Sequence, residues 1–111
     1  VALRAYDGVA WTGRRVQQEA YFPTWVLDDD HPLVRAGMAA AQAVNPRPPR
    51  LGVWTFSTNG VASMGRFGIP TIGYAPGREE LAHSVHEAVA IDDVHTATKF
   101  YTTLIQEIAH Q

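Results

Sequence analysis

The 111-residue chain contains no cysteine. Disulfide scaffolds and thiolate zinc sites are therefore excluded, and any metal must be held by imidazole and carboxylate. Long apolar runs are also missing: no stretch approaches the roughly 18 residues of a membrane span. Charged residues make up only 18%, and the formal net charge is −2. Such a balance leaves no electrostatic footprint for nucleic acid or an anionic membrane. The basic clusters, Arg14-Arg15 and Arg47…Arg50 among prolines, read as solvated loop charge. No repeat, low-complexity tract, signal peptide or nucleophile-elbow serine is visible. Absence of cysteine fits a cytoplasmic protein. Position 1 is Val rather than Met, and the chain is expected to open inside a structural element.

What remains is a sequence 46% apolar and 10% aromatic, enough for one domain or a piece of one. Residues 1–8 alternate loosely, as a strand with one buried face would. Thr12-Gly13 reads as a turn, and residues 16–21 as a second short strand. Tyr21-Phe22-Pro23-Thr24-Trp25 is broken by proline and suits a rigid connector. Asp28-Asp29-Asp30 leads into a helix, with Asp30 as N-cap and Pro32 in the first turn. Leu33, Val34, Met38, Ala41 and Val44 recur at helical spacing.

Three prolines between Asn45 and Arg50 rule out regular structure there. Leu51–Phe56 and Ile69–Tyr74 are apolar and β-branched and predict buried strands. Between them, Ser57 can cap a short helix ending at Gly68. A final helix is expected to be capped by Asp92 or Asp93, with Val94, Ala97, Tyr101, Leu104, Ile105 and Ile108 on its buried face. From residue 31 the alternation of helix and strand predicts an α/β arrangement on a mostly parallel sheet. Ligands on such sheets sit beyond the carboxyl ends of the strands, where both Ser57–Gly60 and the loop after Tyr74 should lie.

Two constellations carry chemistry. Ser57-Thr58-Asn59-Gly60 offers hydroxyls, an amide and a helix N-terminus with free N–H groups, suited to a carboxylate or a developing oxyanion. The same run can also be a strand ending in an Asn-Gly turn. His83, His86 and Glu87 bring two imidazoles and a carboxylate within five residues, after the Pro76-Gly77 turn. Neutral imidazole is a common metal ligand. The pair alone leaves metal ligation and ordinary loop hydrogen bonding both open. Arg66 either binds a substrate carboxylate bidentately or answers a helix C-terminal dipole. His31, His95 and His110 read as structural or solvated, and Trp25 and Trp54 as anchors.

Trp54–Gly60, Met64-Gly65-Arg66, Gly68-Ile69-Pro70, Pro76-Gly77 and Ala82-His83…Glu87 resemble the C-terminal part of the dinuclear zinc aminoacylase and exopeptidase family. Acetylornithine deacetylase, succinyl-diaminopimelate desuccinylase and carboxypeptidase G belong to that family. Tyr21–Trp25 and Asp30-His31-Pro32 bring the chain nearest to its YgeY-type, selenium-metabolism branch.

The resemblance implies a zinc-exopeptidase-like catalytic domain, a mixed and mostly parallel sheet flanked by helices, interrupted by a lid that dimerises. Residues 1–20 would end the lid, 21–30 connect, and 31–111 form the last part of the catalytic domain. His83 would be the family's last metal-binding histidine, Ser57, Thr58, Asn59 and Gly60 would contact substrate, and His86 and Glu87 would support or tune the metal histidine.

Two zinc ions, or cobalt or manganese in their place, would act with a glutamate on the amide of an N-acyl amino acid or dipeptide-like substrate. The partners implied are that substrate, the rest of the catalytic domain and a second subunit. His86 stands where Asn is frequent in the family, and Ala75 where Gly is. The family's other metal ligands and its general base precede a segment like this one, so the chain is expected to be a fragment, inactive alone. The alternative is a stand-alone, non-catalytic α/β module that binds a ligand or dimerises.

Overall fold

The computed structural model describes residues 2–110, and Val1 and Gln111 lie outside them. The described residues fall into two compact units. One takes the chain through Trp25 together with Phe56–Ile69, and the other takes Val26–Thr55 and the chain from Pro70 onward.

In the first unit, β1 (Ala5–Val9) and β2 (Arg15–Glu19) form an antiparallel hairpin, with Asp7 opposite Gln17 and Val9 opposite Arg15. Turn chemistry sets the register. The Ala10 amide donates to Arg14 O at 2.8 Å, and Gly13 takes φ 82° to close the loop. Across the strands Arg15 holds the Asp7 carboxylate with two hydrogen bonds of 2.8 and 2.6 Å, and Gln17 adds a third at 3.0 Å. These bonds, Arg15 first, hold the Asp7 carboxyl below the usual carboxylate range. Tyr6, Val9 and Trp11 are all exposed, Trp11 at 97%. Residues 2–7 are all exposed, so the buried face expected for residues 1–8 is not seen among the described residues, as befits a two-stranded ribbon.

The second unit is built on α1 (Pro32–Val44) and α2 (Ile91–Ala109). Pro32 fixes the first helical position, so the cap falls on His31 rather than on the expected Asp30. The His31 Nδ1 accepts the Leu33 amide at 3.1 Å. The buried face of α1 is small: Val34, Ala36, Gly37, Ala40 and Ala41. That smallness makes room for one large ring. Phe100 of α2 is 2% exposed, packs with Ala40 and Ala41, and stacks on Tyr74 with centroids 3.9 Å apart.

Polar bonds close around this core. Asn45 Nδ2 donates to Ala41 O at 2.8 Å, Tyr74 OH donates to Asn45 Oδ1 at 3.1 Å, and Tyr101 OH donates to Tyr74 O. Burying Phe100 turns α2 so that Ala97, Phe100 and Leu104 face inward. Of the stripe expected to be buried, Val94, Tyr101, Ile105 and Ile108 are instead exposed. Asp92 and Asp93 lie inside the first turn, where they complement the helix dipole, and Ala90 occupies the cap position without a side-chain bond.

The molecule thus combines helices with strand, but the parallel sheet is not seen. Leu51–Phe56 and Ile69–Tyr74 form no strand among the described residues, whose single sheet is the hairpin. Apolar, β-branched composition favours a strand only where another strand offers hydrogen-bond partners. No helix among the described residues is long and apolar enough to cross a membrane.

Truncating Phe100 to Ala should cost roughly 3–5 kcal/mol, the range for an emptied aromatic site. Ile105→Ala, at a position 69% exposed, should change stability by less than about 0.5 kcal/mol. Urea denaturation of the two variants checks the contrast, and equal effects would refute this placement of the core.

Candidate functional site

The Ser57–Gly60 loop and the His83–Glu87 loop fall in different units, the first in the hairpin unit and the second in the helical one.

Ser57-Thr58-Asn59-Gly60 leads into a short π-helix, Val61–Arg66. Its backbone donors are already engaged. Gly60 N donates to Thr58 Oγ1 at 3.2 Å, Val61 N to Thr58 O at 3.1 Å, and Ala62 N to Asn59 O at 2.9 Å. The N–H groups of Gly60, Val61 and Ala62 are thus spent on the loop itself, and Gly60, not the expected Ser57, occupies the cap position, without a side-chain cap bond. Gly68, at φ 66°, ends the helix as expected, with Ile69 N reaching back to Ser63 O at 2.9 Å.

Pro23 and Trp25 explain the glycines at positions 60 and 65. The Trp25 ring lies where a Cβ on buried Gly60 would stand, and Pro23 O would be 2.6 Å from a Cβ on Gly65. Pro23 and Trp25 therefore clamp the backbone of the π-helix directly. Around it opens a shallow cavity of about 390 Å³, lined by Ser57, Thr58, Asn59, Arg66, Phe22 and Gln18 among others. The structure thus brings Arg66 beside the hydroxyl and amide side chains. Arg66 also stands in the last turn of its helix, so both of its expected roles are compatible. Phe22 and Gln18 went unrecognised. The aromatic run Tyr21–Trp25 hints at Phe22, and nothing in the sequence marks Gln18.

In the helical unit a 3-10 turn, Glu79–Leu81, opens the second loop. Glu79 Oε1 accepts from both Thr55 N (3.2 Å) and Thr55 Oγ1 (3.1 Å), which moors the turn. Beside it Arg78 pairs with Glu80 at 2.6 Å on the exposed surface. The Glu80 carboxyl is held low by its own backbone N–H and by Arg78. His83 follows at φ 61°, the non-glycine with positive φ among the described residues. A side chain in that region costs on the order of 1–2 kcal/mol, so the surroundings must impose it. The His83 amide donates to Glu87 Oε2 at 3.0 Å, and Ser84 Oγ donates to Leu81 O at 2.8 Å while accepting the His86 amide at 3.2 Å. His83, His86 and Glu87 are all exposed.

Among the described residues no three His, Asp or Glu side chains converge to hold a metal ion. Zinc takes about four donors. The donors present, one or two exposed imidazoles and a carboxylate bonded to a backbone amide, do not by themselves fit a metal centre.

Gly60→Ala should displace the Trp25 ring, lower stability by about 1–3 kcal/mol as overpacking does, and alter near-ultraviolet circular dichroism. Gly52→Ala, where a Cβ meets nothing within 4 Å, serves as the control and should leave both readings unchanged.

The sequence pattern of peptidase family M20/M25/M40 matches residues 12–107. YgeY of Escherichia coli K12, a protein without a characterised function, is 40% identical over 104 residues, 94% of this chain and 26% of YgeY. A protein of Thermococcus kodakarensis provisionally named LysW-lysine/LysW-ornithine hydrolase is 30% identical over 92 residues, 79% of this chain and 25% of that protein. The chain spans about a quarter of the length of these relatives. With most of its length matched by the family pattern and nearly all of it aligned with YgeY, the chain belongs to peptidase family M20/M25/M40.

Proposed function

We propose that the chain is the C-terminal portion of a metal-dependent amidohydrolase or exopeptidase, to which it contributes one metal histidine, His83, and a substrate-contacting loop. The observation that carries the reading is the backbone of His83. An exposed imidazole sits on the described non-glycine residue with positive φ, and the loop is cross-bonded on both sides of it. Strain of this kind gathers where a side chain must be aimed. Family membership and the hydrolase name of the Thermococcus relative support the same class of reaction.

The proposed substrate is an N-acyl amino acid or a dipeptide-like molecule. The cavity supports this choice. Arg66 can take a carboxylate bidentately, Ser57 and Asn59 can hydrogen-bond an amide, and Phe22 offers an apolar wall. Because the amides of Gly60, Val61 and Ala62 are engaged, substrate contact on this loop falls to side chains. The remaining metal ligands and the proton-transferring group would come from other parts of the polypeptide.

Zinc is the proposed metal, two ions in the complete centre, with cobalt or manganese as substitutes. The domain reading follows: residues 1–20 close a lid that dimerises, 21–30 connect, and 31–111 complete the catalytic domain. The strands that would pair with Leu51–Phe56 and Ile69–Tyr74 would likewise come from other parts of the polypeptide. A cytoplasmic setting is in keeping with a sequence free of cysteine.

Calorimetric titration of the 111-residue chain with zinc tests this division of labour. Micromolar or weaker binding, abolished by His83→Ala, is the expected result. A two-ion site of sub-micromolar affinity in the chain alone would overturn the proposal, since it would require ligands that the fragment reading assigns elsewhere.

A further inference from the structure

The hydrogen bonds of the 78–87 loop divide unevenly. Backbone carbonyls serve the amides of Leu81, Ala82, Ser84 and Glu87, whose acceptors are Arg78 O, Glu79 O, Leu81 O and Ser84 O at 3.0–3.2 Å. The His83 amide goes instead to a side chain, Glu87 Oε2, at 3.0 Å. Residue 83 is also where the backbone enters the positive-φ region, at 61°. Ala82, at ψ 136°, turns the His83 amide out of line with the carbonyls that serve its neighbours, and the positive φ of His83 brings the following chain, with Glu87, back over that amide. An acceptor reaching across from outside that series is then required. A carboxylate four residues on can supply it, and its charge strengthens the bond. Ser84 completes the brace, because its hydroxyl joins Leu81 O to the His86 amide and so fixes the turn that carries Glu87.

We propose that Glu87 is a positioning residue for His83. Its carboxylate holds residue 83 in the left-handed backbone conformation and thereby sets the direction in which the imidazole leaves the loop. Glu87 acts through the main chain, with no contact to the imidazole required. The bearing on catalysis rests on the proposed role of His83, but the conformational statement does not. His86, three residues along, contributes its amide to the brace, which gives it a backbone role in the same device.

The test uses the full chain and reads the backbone, without metal. Nuclear magnetic resonance follows amide exchange at His83 and the φ-dependent coupling of its amide and α protons in Glu87→Ala and Glu87→Gln. In the Ala variant His83 exchange should rise about tenfold or more as the bond is lost, and the coupling should move towards values for negative φ. In the Gln variant, which keeps a carbonyl acceptor, both should stay near the parent. Phe100 amide protection monitors the core, so loss of fold is distinguishable from loss of positioning.

A third comparison adds His83→Gly, since glycine enters positive φ without strain. Glu87→Ala should then destabilise the parent more than the His83→Gly chain. Unchanged exchange and coupling at His83 in Glu87→Ala, or equal destabilisation in both backgrounds, would overturn the proposal. These results are independent of the zinc titration, so positioning and metal ligation can fail separately.

Discussion

The helical half of the molecule depends on one ring. Phe100 is the large side chain that is fully buried among the described residues, and it is held between the alanine face of α1 and the ring of Tyr74. That packing joins α1, α2 and the segment ending at Tyr74 into one body. Tyr74 is then bonded on both sides, to Asn45 at the end of α1 and from Tyr101 on α2. The loop bearing His83 leaves this body a few residues later and is moored to it again by the Glu79–Thr55 bonds. A well-placed imidazole therefore begins with alanines small enough to admit a phenyl ring.

Against this small core stands a large exposed apolar surface. Ile91, Val94, Tyr101, Ile105 and Ile108 recur along α2 at spacings of three, four and seven and are all exposed, and Leu51, Val53 and Ile69 are exposed as well. A row of large apolar side chains left exposed along one helix is a surface that other polypeptide can cover. The chain spans about a quarter of its relatives' length. If it is part of a longer hydrolase, the α2 stripe and the two segments without a ladder are where the remaining polypeptide would pack. The same proposal accounts for the incomplete donor set around His83.

Much of this was legible in the residues. Alternation and the Thr12-Gly13 turn mark the hairpin, and helical spacing and Pro32 mark α1. The family resemblance rested on long runs of matching residues, and the family pattern bears it out. Less visible were features that depend on a partner distant in sequence. Leu51–Phe56 reads as a strand, yet a strand exists only beside another. On α2 two apolar faces compete, and only the alanines of α1 decide that Phe100 turns inward. An imidazole cap at His31 is invisible to rules written for Ser, Thr, Asp and Asn.

The site shows the same division. Residue types pointed to both loops, but not to how they are held. Free amides at the start of the π-helix were a fair expectation from a hydroxyl-rich turn, yet Thr58 and Asn59 consume them locally. Glu87 looked like a neighbour of the imidazole and proves to be bonded to its amide. The most direct test of the central claim is a metal analysis of the purified protein as its gene encodes it, beside its His83→Ala variant. The account predicts two bound ions per chain in the parent and the loss of at least one in the variant, with circular dichroism unchanged. Equal metal content in the two proteins would contradict it.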